Sequence, residues 1–212
     1  MTDVRGRIVV IAGASSDSGK ATALALQAAG ARVVAVGSNA ERLADVAADA
    51  RFVCDLTDAA AVTALVATVR NEVGPADGLI HLVGGWRAGQ DDESWEWLSS
   101  RIVTTLRNTS IAFRDDLRAS TAGRFVIVSS SAVDAPTWSN ANYAAAKAAA
   151  EAWVAALGSG WAKEGSAAAV TLVVRALGTN DGYTPVTTLA DRIVGLWAAS
   201  AAELNLARIR LS

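Results

Sequence analysis

The sequence predicts an α/β fold in which a mostly seven-stranded, doubly wound parallel sheet carries helices on both faces. Short aliphatic runs alternate with longer alanine-rich or amphipathic segments along the whole chain. The runs are apolar throughout, which is typical of strands buried on both faces. A glycine-containing turn joins the first run to the first helical segment, as the connections of such a sheet require.

The individual elements follow from the length and periodicity of these segments. The aliphatic runs are too short for helices, whereas residues 58–73 place four Val and Leu side chains on one helical face. The predicted strands cover residues 7–12, 32–36, 51–54, 79–83, 125–129, 170–174 and 207–211. The predicted helices cover residues 20–29, 40–48, 58–73, 93–118, 142 to about 164, and 188–199. Residues 178–187 show no regular pattern.

Composition excludes several classes of function. Of the 212 residues, 52% are hydrophobic and 19% are charged, and the net charge is −2. These values are typical of a globular protein and do not favour nucleic acid or a membrane as a partner. No apolar run approaches the roughly 20 residues of a membrane-spanning helix, and the first residues do not resemble a signal peptide. We therefore expect a cytoplasmic protein.

Two residues that occur once each limit the chemistry of the chain. Cys54 is the one cysteine, which excludes an internal disulfide and fits a reducing compartment. It lies in an apolar run, where we expect a small buried side chain. His81 is the one histidine, so no metal site of His and Cys ligands is expected. We interpret His81 as a half-buried residue inside the fourth strand with its hydrogen bonds satisfied.

The turn after the first strand predicts a dinucleotide site. Its glycines allow close approach of a phosphate, and the following helix offers free N–H groups and a positive dipole end. An ordinary turn with glycines for backbone reasons is the alternative. The predicted pyrophosphate-binding residues are Gly13, Ser15, Ser16, Asp17, Ser18 and Gly19. The chain is then a single Rossmann-type dinucleotide-binding domain, residues 1–212, that also contains the catalytic residues.

The end of the second strand indicates which dinucleotide is bound. An acidic residue there accepts a hydrogen bond from the adenosine ribose, and a basic one binds a 2′-phosphate. This chain has Ser38 and Asn39, which are neither. The absence of an acid favours NADP(H) over NAD(H). Ser38 also fits a helix-capping box with Glu41, which is a purely structural alternative.

Candidate reactive side chains lie between residues 123 and 150. An apolar run ends in three serines, and a later helix carries Tyr143 and Lys147. Positions i and i+4 share one helical face, so the phenol and the ammonium point the same way. Ligands of open α/β sheets bind at the carboxyl ends of the strands. This combination suggests proton transfer to or from an oxygen atom.

Over nearly its whole length the chain resembles the short-chain dehydrogenase/reductase family. The shared features are the turn from Gly13 to Gly19, the segment Asp55-Leu56-Thr57-Asp58, the strand before Gly84, and a Tyr-x3-Lys motif at Tyr143. In that family a serine precedes the tyrosine by thirteen residues, which selects Ser130 from the three serines.

The resemblance implies a role for each of these residues. Tyr143 is the general acid in reduction and the general base in oxidation, and Ser130 hydrogen-bonds the substrate oxygen. Lys147 holds the nicotinamide ribose and lowers the pKa of Tyr143. Hydride transfer belongs to the cofactor. The resemblance adds Asp55, Leu56, Val83, Gly84 and Gly85, with Tyr143 and Lys147, to the cofactor-binding residues; for Asp55 a turn-stabilising carboxylate is the alternative.

The chain also departs from the family pattern. Of the family's Asn-Asn-Ala-Gly only Gly84 is present, and Ile102 occupies the position of an asparagine that holds a relay water. Asn108 lies on another part of that helix and does not replace it. Arg175-Ala176 stands in place of Pro-Gly, and only about ten irregular residues remain of the substrate lid. The resemblance is therefore to a short, divergent member with a reduced lid.

Two tryptophans mark the substrate side or a subunit contact. Trp86 and Trp138 each follow the carboxyl end of a strand. They line an apolar or aromatic substrate pocket, cover the surface that the reduced lid leaves bare, or pack against a second subunit. The resemblance implies a homodimer or homotetramer that assembles through the helix carrying Tyr143 and the helix before it.

Three functional hypotheses follow. The first is an oxidoreductase that transfers a hydride between NADP(H), or NAD(H), and a carbonyl or alcohol of an apolar or aromatic small molecule. The second is a catalytically degenerate dinucleotide-binding protein that acts as a sensor or a partner subunit, which the loss of the relay asparagine motivates. The third is a non-redox dehydratase or cyclase that keeps Tyr143 as its acid/base.

Overall fold

The computed structural model describes residues 3–163 and 165–211, and its central element is a seven-stranded sheet. The strand order is β3-β2-β1-β4-β5-β6-β7, and every neighbouring pair is parallel. The strands are β1 (Ile8–Ala12), β2 (Arg32–Gly37), β3 (Ala50–Val53), β4 (Gly78–His81), β5 (Gly123–Ser130), β6 (Ala167–Val174) and β7 (Arg208–Arg210). The predicted fold class is confirmed.

Helices cover both faces of this sheet. They are α1 (Asp17–Ala28), α2 (Ala40–Ala44), α3 (Ala59–Glu72), α4 (Asp92–Ser99), α5 (Thr105–Ala119), α6 (Ala141–Trp161), α7 (Val186–Gly195) and α8 (Ala201–Leu204). A π-helical turn, Ser100–Thr104, joins α4 to α5. No helix within the described ranges is both long and apolar enough to cross a membrane.

The strands divide the apolar side chains between two cores. Phe125 and Ile127 of β5 pack with residues of α3, α5 and α6 on one face. Val126, between them, packs with residues of α1 and α7 on the other face. This alternation explains why the strands read as continuous apolar runs, since both faces are buried. Cys54 lies in the first core with its thiol free, and burial raises its pKa, as expected of a structural cysteine.

Several element boundaries differ from the sequence prediction for local reasons. Helix α1 begins three residues early because Ser16 caps it, with its hydroxyl accepting from the Gly19 N–H at 3.1 Å. The capping box predicted for Ser38 and Glu41 is wrong. The cap of α2 is Asn39, whose side-chain oxygen accepts from the Arg42 N–H at 2.8 Å.

Further differences lie at the ends of helices. Helix α2 ends at Ala44, four residues before the predicted end, and the short helix α8 was not predicted. The predicted end of the helix that carries Tyr143, Glu164, lies outside the described residues. Residues 178–185 contain no helix, in agreement with the irregular pattern expected of the reduced lid.

Strand register determines where the functional edge of the sheet lies. Ala12 of β1 pairs with His81 of β4, and His81 pairs with Ile127 of β5. Strand β5 therefore runs three residues further than β4, to Ser130, which pairs with Val174 of β6. The carboxyl ends of β1, β4, β5 and β6 consequently form a stepped edge.

His81 connects β4, at this edge of the sheet, to helix α5 through hydrogen bonds. Its Nε2 and Nδ1 atoms lie 3.2 Å and 3.1 Å from the hydroxyls of Thr105 and Thr109 on α5. The interpretation as a satisfied histidine is thus confirmed, but the predicted location was wrong. His81 is the last residue of β4, since the strand ends two residues earlier than predicted, and it is fully buried.

Burial, together with the nearby Lys147 charge, lowers the pKa of His81 from 6.5 to about 3. The unfolded chain binds a proton near pH 6.5 whereas the folded protein does not, so stability falls as the pH drops from about 6.5 towards 3.

We therefore predict that wild-type protein loses about 1.5 kcal/mol more unfolding free energy than His81→Gln between pH 6.5 and pH 5. Glutamine keeps a hydrogen-bonding side chain that does not titrate. Urea unfolding at the two pH values measures the difference, and because His81 is the one histidine in the chain, no other imidazole contributes. Equal losses of unfolding free energy in the two proteins would contradict the lowered pKa of His81.

Candidate active site

A cleft of about 890 Å³ opens at the carboxyl edge of the sheet. Its walls come from the turn after β1, the segments after β4 and β5, the start of α6, and the segment after β6. The three predicted catalytic residues, Ser130, Tyr143 and Lys147, all line it. This is the location that parallel α/β sheets use for ligands.

The side chains of Ser130 and Tyr143 lie near each other in the cleft. Ser130 is the last residue of β5, and its hydroxyl accepts from the Ala132 N–H at 3.2 Å. Tyr143 lies in the first turn of α6, where the Ser130 side chain is close enough to its phenol to favour a lower pKa. The end of the strand and the start of the helix therefore bring the two hydroxyls together.

Lys147 lies one turn further along α6 and is only 8% exposed. Its Nζ donates to the carbonyl of Val128 at 2.8 Å and lies 5.9 Å from the centre of the Tyr143 ring. Burial lowers the pKa of Lys147 to about 8, and the Glu151 carboxylate opposes that shift. The ammonium is thus largely protonated at neutral pH.

The expected lowering of the Tyr143 pKa by Lys147 is wrong for this structure. Burial raises the pKa of Tyr143, and the nearby Ser130 hydroxyl opposes the shift only in part. The Lys147 ammonium is directed to the Val128 carbonyl, so it does not stabilise the phenolate directly. Tyr143 is therefore a protonated phenol at neutral pH, the form needed in a general acid.

Donors remain open around Lys147. An ammonium has three N–H donors, and Val128 accepts from one of them. The hydroxyl of Ser129, which also lines the cleft, is buried without a partner in the described part of the chain. Buried polar groups are rarely left unpaired, so these groups fit a hydroxyl-bearing ligand such as a nucleotide ribose.

The turn after β1 has the shape of a phosphate cradle. Gly13 has φ +83°, and a Cβ added to Gly19 would lie 2.5 Å from the carbonyl oxygens of Gly13 and Ala14, so only glycine fits there. Ser16 and Ser18 line the cleft at the start of α1. Ser15 is partly buried beside them, and the Asp17 side chain is exposed in the first turn of the helix. The residues present fit a pyrophosphate.

The residues predicted for the adenosine end follow β2 and β3. Ser38 and Asn39 are exposed, although the amide oxygen of Asn39 is engaged as the cap of α2. Asp55 accepts from the N–H and the hydroxyl of Thr57 at 2.9 Å and 2.7 Å, and these bonds lower its pKa. Asp55 therefore stabilises a turn, which is the structural alternative considered for it.

Asn108 belongs to this same end of the site and not to the proton route. Its Nδ2 donates to the carbonyls of Leu56, which is buried, and Thr57, both at 3.0 Å. The structure thus agrees with the expectation that Asn108 does not replace the relay asparagine. Instead it fixes the loop that follows β3.

The segment after β4 brings the relay position next to Lys147. Val83, Gly84 and Gly85 line the cleft. A Cβ added to Gly84 would lie 3.7 Å from Lys147 Nζ and 4.0 Å from Cγ1 of Ile102. Ile102 is buried in the π-helical turn and has no group that holds water.

Gly85 must be a glycine because of its backbone conformation and its surroundings. It has φ +148°, and a Cβ there would lie 2.6 Å from the ring of Trp97. Trp97 is itself covered by the Arg101 guanidinium at 4.6 Å. The rigid ring and the positive φ together require glycine at this position.

The two tryptophans assigned to the substrate pocket lie in different places. Trp86 is 66% exposed and lines the cleft. Trp138 is 79% exposed and lines a second, shallow depression of about 450 Å³ along α6, with Ala144 and Ala148 among its neighbours there. Its backbone carbonyl accepts from Gln90 at 2.7 Å. The structure does not bring Trp86 and Trp138 into one pocket.

Sequence reasoning did not assign several residues that line the cleft. They are Leu82, Ser131, Ala132, Ala135, Asn140, Val174, Arg175, Ala176, Leu177 and Tyr183. Position alone indicated some of them, since Leu82, Ser131 and Arg175 come immediately after β4, β5 and β6. Tyr183 had no such signal, because it reaches the cleft through the fold of the irregular segment.

Comparison with known proteins identifies the family of the chain. A family model for short chain dehydrogenases matches residues 7–190. A 2,3-dihydro-2,3-dihydroxybenzoate dehydrogenase of Bacillus subtilis (strain 168) is 33% identical over 167 residues, which are 73% of this chain and 64% of that protein.

Solved structures reproduce the whole fold. An NADPH-bound short chain oxidoreductase from Pseudomonas aeruginosa PAO1, which contains an atypical catalytic center, superimposes with a TM-score of 0.90 and 20% identity, covering 100% of this chain and 97% of that one. A gluconate 5-dehydrogenase from Burkholderia cenocepacia J2315, solved with NADP and tartrate, gives a TM-score of 0.85 and 21% identity, covering 100% and 95%. With the family match over most of its length, the chain belongs to the short-chain dehydrogenase/reductase family of oxidoreductases.

Proposed function

We propose that the protein is a nicotinamide-dependent oxidoreductase that interconverts a carbonyl and an alcohol, with Tyr143 as its acid/base. The observation that carries this proposal is the convergence of Ser130, Tyr143 and Lys147 in one cleft with the glycine turn after β1. A hydroxyl pair beside a buried ammonium suits the transfer of a proton to an oxygen atom.

The cofactor would be held along the carboxyl edge. The turn from Gly13 to Gly19 and the start of α1 would hold its pyrophosphate, and the open N–H donors of Lys147 would hold ribose hydroxyls. When bound, it supplies the hydride. The Pseudomonas and Burkholderia structures contain NADPH and NADP, respectively, which supports this class of cofactor.

Each side chain then has one task. The Ser130 hydroxyl hydrogen-bonds the substrate oxygen, and the Tyr143 hydroxyl gives its proton to that oxygen as negative charge develops on it. Because burial raises the pKa of Tyr143, the phenol carries the proton at neutral pH. Lys147, whose Nζ lies 5.9 Å from the centre of the Tyr143 ring, holds the ribose hydroxyls of the cofactor and does not stabilise the phenolate directly.

The proton route differs from that of the wider family. Ile102 cannot hold a relay water, and Asn108 is engaged with the loop after β3. The reduced lid leaves the cleft open, with Trp86 largely exposed at its border. Tyr143 therefore regains its proton from solvent that enters through the cleft.

The surface after β2 favours NADP(H) over NAD(H). Ser38 is exposed where an acid would repel a 2′-phosphate, and the exposed Arg42 follows in the first turn of α2. A guanidinium at this edge is suited to binding a phosphate.

An apolar or aromatic small molecule is the substrate class that the lining favours. Trp86, Leu177, Tyr183 and Val174 border the cleft around the reactive hydroxyls. The Bacillus subtilis relative acts on a dihydroxylated benzoate derivative, by its name, which supports a ring-bearing substrate.

The proposal includes a homodimer or homotetramer that assembles through α5 and α6. The exposed Trp138 and the alanines of α6 beside it form an apolar surface that a second subunit would cover.

Tyr143→Phe tests the proton-transfer role. We predict that NADPH oxidation with a panel of aryl ketones and quinones falls at least about 100-fold, because the general acid is lost. NADPH affinity, measured by quenching of tryptophan fluorescence, should stay nearly unchanged. Tyr183→Phe is the matched control, since it removes the other tyrosine hydroxyl of the cleft and keeps the acid.

Equal turnover by Tyr143→Phe and wild type would refute the role. Binding without turnover on any substrate would favour the sensor or partner-subunit hypothesis, and Tyr143-dependent chemistry without NADPH oxidation would favour a dehydratase or cyclase. No binding of either nucleotide at millimolar concentration would exclude both the reductase and the sensor.

Ser38→Asp tests the cofactor preference. We predict that NADPH binding weakens at least about tenfold while NADH binding does not weaken, because a carboxylate repels the 2′-phosphate and accepts a hydrogen bond from a 2′-hydroxyl. Thr63→Asp, an equal charge change at an exposed position on α3, is the control. Tighter binding of NADH than NADPH by wild type, or parallel losses in Ser38→Asp, would contradict the preference.

A further inference from the structure

The charges that line the cleft have one sign. Lys147 and Arg175 are its charged residues, both are cationic, and no Asp or Glu among the described residues lines it. Lys147 is buried and donates to Val128. Arg175 is exposed and is the first residue after β6, where the related family has a proline.

Arg175 is free to bind a ligand. Within residues 3–163 and 165–211 it makes no ion pair or side-chain hydrogen bond, and Asp181 of the same segment is not paired with it. The carboxylate of Asp134, in the loop after β5, is already bound by Arg208 at 3.0 Å and Arg210 at 2.8 Å. Among the residues that the structure describes, no carboxylate is therefore paired with the Arg175 guanidinium.

Register places Arg175 at the reactive end of the cleft. Its neighbour Val174 pairs with Ser130, so Arg175 lies about one strand spacing, roughly 5 Å, from the strand that carries the serine. The phosphate turn follows β1, which is three strands away, or roughly 14 Å. Arg175 thus adjoins the substrate position rather than the pyrophosphate position.

The segment after β6 holds Arg175 in this position. Thr184 donates its N–H to the Ala176 carbonyl at 2.9 Å, and Gly178 donates to the Thr184 carbonyl at 3.1 Å. Gly182 has φ +73°, and a Cβ there would lie 3.1 Å from Nη1 of Arg175. The closed segment therefore packs against the guanidinium and limits its freedom, which lowers the entropy lost on binding an anion.

We propose that Arg175 is a specificity-determining residue that binds a carboxylate of the substrate, so that the enzyme acts on a carbonyl or alcohol that carries an acid group. This inference rests on the proposed function, because it concerns the substrate of that same cleft. A guanidinium binds a carboxylate through two parallel hydrogen bonds, whereas a neutral substrate leaves this cation unpaired.

The test is calorimetric titration of the NADP⁺-loaded full chain with benzoate and with benzamide, its neutral analogue of similar shape. We expect wild type to bind benzoate at least about tenfold more tightly. Arg175→Gln should abolish this preference, and Arg175→Lys should retain part of it because the charge remains. Arg5→Gln, an exposed arginine before β1, is the matched control and should retain all of it.

Three results would overturn the inference: no benzoate preference in wild type, a preference that survives in Arg175→Gln, or a loss in Arg175→Gln confined to NADP⁺ affinity. The last result would assign Arg175 to a cofactor phosphate. The same titration without nucleotide separates this inference from the proposed function. A protein that fails to bind or oxidise NADPH, yet prefers benzoate only while Arg175 is present, retains the carboxylate site and loses the oxidoreductase assignment.

Discussion

The ammonium group of Lys147 carries a positive charge into a site with little access to water. Transfer of a cation from water costs several kcal/mol unless polar groups replace its hydration. Here the Val128 carbonyl supplies one hydrogen bond, and burial lowers the pKa to about 8. The other N–H donors of Lys147 remain available to a ligand, and we infer that ribose hydroxyls of a nucleotide accept from them. Burial, and secondarily this charge, keeps His81 neutral, and Gly84 lies beside Nζ without a side chain.

The stepped edge of the sheet determines which groups can meet this ammonium. Strand β5 extends three residues beyond β4, so Ser130 stands clear of the end of β4 and lies near the phenol of Tyr143. Behind the edge, His81 and two threonines fix β4 to α5, next to the π-helical turn that carries Ile102. The proposed proton donor, Tyr143, is therefore positioned by regular secondary structure, whereas the proposed route that resupplies its proton opens to solvent. A reduced lid and an open proton route are consistent with each other, since a closed cleft would isolate Tyr143.

The sequence predicted those parts of the site that depend on short-range spacing. Tyr143 and Lys147 share a face because they are four residues apart on a helix, and Ser130 was selected by its distance from the tyrosine. Features that depend on tertiary packing were not predictable in this way. The separation of Trp138 from Trp86 and the entry of Tyr183 into the cleft result from loop conformations. The raised pKa of Tyr143 results from burial, which spacing along the helix does not encode. Helix α2 begins at Ala40, as predicted, so the residue before it, Asn39, is the cap, and the capping box at Ser38 does not form.

Proton uptake on nucleotide binding tests the central claim about Lys147 most directly. If ribose hydroxyls accept hydrogen bonds from the ammonium, binding favours its charged form and raises a pKa that lies at about 8 in the free protein. Calorimetric titration with NADPH at pH 8, in two buffers of different ionisation enthalpy, should then reveal an uptake of at most about 0.5 proton per site. Lys147→Met should abolish the uptake and weaken the binding. Absence of uptake in wild type, or the same uptake in Lys147→Met, would contradict the account.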